Sequence, residues 1–172
     1  MQNFYYAPWY SLSFNRVVIE PGVTTIGDYA FESCYGLKEV QIPEGVTYIG
    51  TRAFFCCELT QVDLPDSVTR ICNGAFQGCS GLVNVKMPAG LQAIDDDAFR
   101  GCNLTDVVIP EGVVYIGESA FEDCKGLVSL TLPQSLTHLY TWAFRGCESL
   151  TRVEIPAGVT YLGERVFSTV TA

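Results

Sequence analysis

The residues best equipped for chemistry are eight cysteines, one histidine and a run of three aspartates. Cysteines in an oxidising compartment suggest disulfides, and closely clustered ones suggest zinc. Six of the eight, Cys34, Cys57, Cys79, Cys102, Cys124 and Cys147, each stand three residues after a phenylalanine. That fixed spacing reads as a ladder of small buried residues rather than a set of pairs. Neighbouring cysteines would lie about 4.8 Å apart at Cα, inside the disulfide window. Their parallel Cβ vectors hold the Cβ atoms slightly too far apart, so free thiols are expected. Cys56 and Cys72 lie off the ladder and are expected to be more exposed, though still unreactive. The close CxxC spacing of a zinc site is absent.

A catalytic Ser/His/Asp or Cys/His device would need His138, the single histidine. Its slot holds Thr25, Tyr48, Arg70, Ala93, Tyr115 and Tyr161 in the other repeats, which reads as surface substitution. Asp95-Asp96-Asp97 offers oxygen ligands, but consecutive carboxylates do not converge easily on one calcium ion. A solvated corner turn is expected there. Asn103-Leu104-Thr105 matches the glycosylation sequon, yet Leu104 is a core position. Neither a phosphate loop nor a dinucleotide fingerprint is present. The chain is therefore expected to be no enzyme and to use no cofactor or metal.

These residues are positioned by a unit of 22 or 23 residues, repeated seven times. One unit reads Leu37…Val40-x-Ile42-Pro43-x-Gly45-Val46-Thr47-x-Ile49-Gly50-x-x-Ala53-Phe54-x-x-Cys57. A fixed period of this length predicts a solenoid, in which each unit buries its apolar face against its neighbours. Val40 and Ile42 alternate with polar residues, so a first strand is expected there, stacked in parallel on its equivalents. Pro43 ends that strand, and Ile42-Pro43-Glu44-Gly45 suits a type I turn. Ser67 and Ser135 replace the glycine in two repeats. Val46 to Ile49 predicts a second short strand. Its closing Gly50 becomes Cys72, Asp95 and Tyr140 elsewhere, so the corner is expected to tolerate side chains. Ala53-Phe54 opens a short helical or irregular turn. The seven phenylalanines, Phe31 to Phe167, should form a continuous spine.

The composition fits one folded domain of 172 residues, 48% of them hydrophobic. A net charge of −9 argues against nucleic acid and anionic membranes as partners. No apolar run approaches a membrane span, and no signal peptide is visible at the start.

The repeated Ile-Pro-x-Gly-Val-Thr-x-Ile-Gly-x-x-Ala-Phe-x-x-Cys resembles the BspA-like leucine-rich repeats of bacterial surface proteins. The resemblance runs from Phe14 to Phe167. Ala7-Pro8-Trp9-Tyr10 is similar to the aromatic lead-in of such arrays. It implies a right-handed, mainly β leucine-rich-repeat solenoid with two short parallel strands per repeat. Residues 1–13 are then a lead-in cap, and residues 14–172 are seven repeats with the last truncated. It also implies adhesion or host-protein binding at the cell surface, as part of a larger secreted or anchored protein. It carries no catalytic residue.

Binding candidates are the outward residues. On the second strand they are Tyr48, Tyr115 and Tyr161, because exposed tyrosines suit interfaces. On the first strand they are Gln41, Asp63, Lys86 and Glu154. That face is mixed and polar, and a merely solvated sheet is the plainer reading of it. No segment comparable to the lead-in follows Phe167, so end-to-end self-association through the last repeat is expected. The rival to a host- or matrix-protein-binding module is a structural spacer or self-assembling display scaffold.

Overall fold

Alternating valine and isoleucine favour extended chain with one buried edge, and the proline that follows removes a ladder donor. In the computed structural model, which describes residues 14–168, these runs form short parallel strands, and no helix occurs among the described residues. The strands are β1 (Arg16–Val18), β2 (Thr25–Ile26), β3 (Glu39–Gln41), β4 (Tyr48–Ile49), β5 (Gln61–Asp63), β6 (Arg70–Ile71) and β7 (Asn84–Lys86). They continue as β8 (Ala93–Ile94), β9 (Asp106–Val108), β10 (Tyr115–Ile116), β11 (Ser129–Thr131), β12 (His138–Leu139) and β13 (Tyr161–Leu162). The aromatic lead-in expected over residues 1–13 lies outside the described residues, as does the end of the last repeat.

The second strands form one parallel sheet in the order β2-β4-β6-β8-β10-β12-β13. The first strands do not form a continuous ladder. They pair as β1-β3, β5-β7 and β9-β11. Both interruptions fall at 22-residue steps. Cys57-Glu58-Leu59 and Cys102-Asn103-Leu104 have lost the glycine present in Cys34-Tyr35-Gly36-Leu37. The missing residue immediately precedes β5 and β9, so these strands enter out of step with β3 and β7. Long backbone bonds mark the approach to each break, Thr60 N to Lys38 O and Thr105 N to Val83 O, both 3.3 Å. The deficit is absorbed by the second strand, where pairing is regular.

The seventh repeat forms no first strand over residues 152–154. Ser149 stands where earlier repeats carry Gly36, Gly81 and Gly126. A Cβ at Gly126 would lie 2.8 Å from Asn103 Oδ1. Ser149 instead spends its hydroxyl on Lys125 O at 2.7 Å.

The third side is built from turns that stack without helix. Two positions per unit adopt left-handed backbone, for example Arg52 (φ 51) and Cys56 (φ 54), or Trp142 (φ 60) and Gly146 (φ 73). Left-handed residues break helical progression. The turn amides therefore bond between repeats: Phe54 N to Ala75 O, Phe76 N to Ala98 O and Phe99 N to Ala120 O, each 2.8 Å.

That stacking carries the core. The phenylalanine rings from Phe31 to Phe167 lie nearly parallel, with centroids from 5.1 Å (Phe31–Phe54) to 5.6 Å (Phe144–Phe167). The ladder cysteines are free thiols and buried. Each ladder thiol from Cys57 onward donates to the carbonyl of the previous repeat's phenylalanine, as in Cys79 Sγ to Phe54 O at 3.1 Å. A small apolar side chain with a weak donor suits this slot, because the carbonyl beneath it is buried. Burial pushes these thiols up, Cys79 and Cys147 to about 12. Cys72 corrects one expectation: it is buried, because its corner faces the Tyr48 side chain, with which it shares a hydrogen bond. Cys56 is half-buried.

Candidate protein-binding face

Two faces carry the outward residues singled out from the sequence. On the first-strand face, one interruption and the strandless seventh repeat each open a groove. One of about 410 Å³ lies between β3 and β5, lined by Glu39, Gln41, Gln61 and Asp63. Another of about 540 Å³ lies beside β11, lined by Ser129, Thr131, Arg152 and Glu154. Gln41 and Asp63 thus share a groove, whereas Glu154 lines a different one. Glu154 is bound to Arg152 at 2.5 Å. Lys86 stands apart from Gln41 and pairs with Asp66 at 3.6 Å. The positions two before, one before and one after the inward Val17 and its equivalents in the other repeats hold four cations (Arg16, Lys38, Lys86, Arg152) and four anions (Glu39, Asp63, Asp106, Glu154). This face has no net charge to attract a partner.

The second-strand face differs in rigidity, chemistry and charge. Its sheet is unbroken, so each outward side chain is held in register: Tyr48↔Arg70, Ala93↔Tyr115, Tyr115↔His138 and His138↔Tyr161. The structure brings Tyr115 and Tyr161 into one aromatic cluster with His138 and Tyr140. Tyr140 meets Tyr115 edge to face at 6.2 Å and Tyr161 at 5.3 Å. His138 stacks on Tyr140 at 6.0 Å and on Tyr161 at 5.8 Å. Tyr48 stays outside this cluster, separated from β10 by two strands that carry Arg70 and Ala93. Sequence reasoning misses Tyr140 as a site residue because it occupies the corner, not the outward slot. The signal available in the sequence is its place beside three aromatic outward residues, Tyr115, His138 and Tyr161.

Ala93 makes the site. It is the one small outward residue between Arg70 and Tyr115, and those two side chains lean across it. They meet at Asp95, which is 5% exposed. Arg70 Nε donates to Asp95 Oδ2 at 2.9 Å, and Nη2 lies at the same distance from that oxygen in the ion pair. Tyr115 donates its hydroxyl to Asp95 Oδ1. Burial, and then that bond, push the Tyr115 phenol up to about 12. The solvated turn expected at Asp95-Asp96-Asp97 is therefore corrected: Asp95 is buried by neighbours from both adjoining repeats. Asp96 accepts the Glu118 amide at 2.8 Å, and Asp97 pairs with Arg100 at 3.2 Å, so the three carboxylates serve different partners. Around Asp95 lies an open cavity of about 470 Å³, lined by Arg70, Asn73, Asp95, Asp96, Tyr115, Glu118 and Tyr140.

The corner is also less tolerant than its sequence variety suggests. A Cβ on Gly50 would lie 2.6 Å from Asp28 N, and one on Gly117 2.6 Å from Asp96 N. At these corners the next amide bonds the side chain beneath, Thr51 N to Asp28 Oδ1 at 2.8 Å. That draws the two backbones together until only glycine fits.

The comparisons agree with this architecture. A crystal structure of a leucine-rich cell surface protein from Faecalibacterium prausnitzii is 37% identical, with a TM-score of 0.85 over 91% of this chain and 45% of that one. The T. pallidum leucine-rich repeat protein is 36% identical, with a TM-score of 0.81 over 87% of this chain and 73% of that one. A leucine-rich repeat protein from Bacteroides ovatus is 31% identical, with a TM-score of 0.76 over 90% of this chain and 49% of that one. The chain thus spans less than half the length of the F. prausnitzii and B. ovatus proteins. No curated protein matches the sequence. Such solenoids are typically scaffolds without catalysis, and no described helix is long and apolar enough to cross a membrane. The family model for the BspA-type leucine-rich repeat region matches six copies, over residues 3–113 and 92–172, and the chain belongs to that family of bacterial surface proteins.

Proposed function

We propose that this chain is a non-enzymatic protein-binding module of a bacterial surface protein, adhering by rigid contact to a host or matrix protein. The observation that supports this most is the aromatic cluster of Tyr115, His138, Tyr140 and Tyr161 on the unbroken sheet. Tyr140 and Tyr161 are exposed, and the strands that carry Tyr115, His138 and Tyr161 are hydrogen-bonded in register. Rigid aromatic side chains bury much area at small entropic cost, which is the pattern of an interface centre. Tyr48 belongs to the same face at its other end. Gln41, Asp63, Lys86 and Glu154 remain the alternative surface.

The test is capture on immobilised host extracellular-matrix proteins. Alanine at Tyr115, Tyr140 and Tyr161 should abolish binding to a matrix protein that the parent chain holds. Alanine at Gln41, Asp63 and Lys86 should leave it intact. The reverse pattern would move the site to the first-strand face, and binding that survives both sets would refute both.

The last repeat supports the second reading, a self-assembling scaffold. Ile155, Tyr161 and Leu162 are exposed there, and β13 has no partner on its outer side among the described residues. Unpaired strand edges with apolar side chains favour pairing with another chain. On this reading the 172-residue chain associates end to end through that repeat. A strictly monomeric mass by light scattering at high concentration would exclude it.

A further inference from the structure

We propose that the cavity around Asp95 receives a lysine or arginine side chain from a basic segment of the protein partner, making it the charge-selective centre of the second-strand face. The inference rests on the binding function proposed above and narrows its partner to one with a basic surface segment.

Charge complementarity selects that occupant. The outward second-strand positions and the two corner positions after them hold five carboxylates, Asp28, Asp95, Asp96, Glu118 and Glu164, against one guanidinium, Arg70. The first-strand face, by contrast, is balanced. Within the cavity, Arg70 is already taken by Asp95. Asp96 and Glu118 are exposed at its rim, and neither pairs with a cation among the described residues. The Asp96 carboxylate is held at the corner by the Glu118 amide. The base is built rather than incidental: Asp95 is 5% exposed and braced by groups from two other repeats. Two tyrosine rings, Tyr115 and Tyr140, form the wall. A cation beside carboxylates and aromatic rings gains from both, and more as the surface around it is covered by a partner. A neutral sugar would use the rings but leave the carboxylate excess unanswered. The His138, Tyr140 and Tyr161 rings also form a triangle, with centroids 5.3 to 6.0 Å apart and planes 20° to 47° from one another, so each turns part of its face toward the other two. Sugars need those faces open.

The test uses the whole chain and an acetylated oligolysine peptide as probe, with an oligoglutamate peptide and a neutral oligoglucan as controls, by calorimetry. The oligolysine should bind saturably with one site per chain. The pair D96N and E118Q together should weaken it about five- to ten-fold, the sum of two exposed ion pairs. The amide side chain introduced by D96N keeps an oxygen for the Glu118 N–H, so the corner is preserved. D63N with E154Q removes equal charge from the other face and should change affinity less than about two-fold. Y140L should weaken binding about two- to three-fold through the lost ring. Raising salt should weaken the oligolysine complex steeply. Equal losses from both charge pairs would mean non-specific attraction to an acidic protein and would overturn the proposal. So would absence of oligolysine binding, or oligoglucan binding that is lost in Y140L and indifferent to salt. A matrix protein lost on alanine at Tyr115 and Tyr161 but indifferent to D96N with E118Q would leave the module reading standing and remove the cation site. Oligolysine bound at Asp96 and Glu118, with no matrix protein captured, would do the opposite.

Discussion

Removing Arg70 should damage the protein more than removing the aspartate it binds. Asp95 is 5% exposed, and its Oδ2 takes a hydrogen bond from Arg70 Nε within an ion pair to the guanidinium. In R70A that carboxylate stays buried with the Tyr115 hydroxyl as its remaining side-chain partner among the described residues. Stranding a buried charge typically costs about 3–5 kcal/mol. The Arg70 side chain is 53% exposed, so water reaches the vacated space, and about 2–3 kcal/mol is the better expectation. In D95A the case is different, because Arg70 and Tyr115 can both turn to solvent. Only the net worth of their hydrogen bonds is lost, about 1–2 kcal/mol. The double variant should then resemble D95A and be more stable than R70A alone. Urea unfolding followed by circular dichroism gives the midpoints, and an unchanged slope licenses comparing them. In thermal melts R70A should lose about 4–12 °C, at roughly 2–4 °C per kcal/mol for a chain of this length. If R70A is no worse than D95A, or if the two costs simply add, Asp95 is not the buried centre of this site.

Three further outcomes follow from the same structure. The Tyr115 and Tyr48 phenols are both raised to about 12, Tyr115 first by burial and Tyr48 first by its hydrogen bond with Cys72. Their folded values exceed the unfolded value of about 10, so their contribution to stability is complete below that pH and is lost as pH climbs toward about 12. A phenolate absorbance titration should show late-ionising tyrosines, one fewer in Y115F; uniform ionisation near pH ~10 would contradict it. Ellman's reagent at neutral pH should label Cys56 first and reach the ladder thiols and Cys72 only on unfolding, because burial raises all of them. Fast labelling of several thiols in the native chain would rule out the packed ladder. Gly50→Ala places a methyl 2.6 Å from the Asp28 amide and should destabilise by about 1–3 kcal/mol. Gly27→Ala meets nothing within 4 Å and should be neutral or gain about 0.5 kcal/mol, so equal effects would refute the close approach at that corner.

Nearly all of the fold was legible in the sequence, because a solenoid writes each contact several times over. Phe54, Cys57, Val46 and Ile49 are buried where the period placed them. The free thiols were legible too, from one repeated slot. The candidate site was legible only in part. Tyr115 and Tyr161 were named from their outward position, but Tyr140 sits in a slot that is glycine in several other repeats. Asp95 looked solvated because a one-dimensional reading assigns it to a corner. Its burial depends on Arg70 from the repeat before and Tyr115 from the repeat after. The divided first-strand face was visible as a spacing of 22 instead of 23, but its effect on hydrogen bonding was not.

The sequence alone therefore determined what repeats: two strands, a turn, an aromatic spine and a thiol ladder. Those follow from local pattern, since each apolar residue has one inward direction and a copy of itself above and below. The tertiary structure decided what happens where copies differ. A dropped glycine splits one sheet, the seventh repeat forms no first strand, and an alanine lets two neighbours close over an aspartate. Each effect is a mismatch between adjacent repeats, so it has no value until the repeats are stacked.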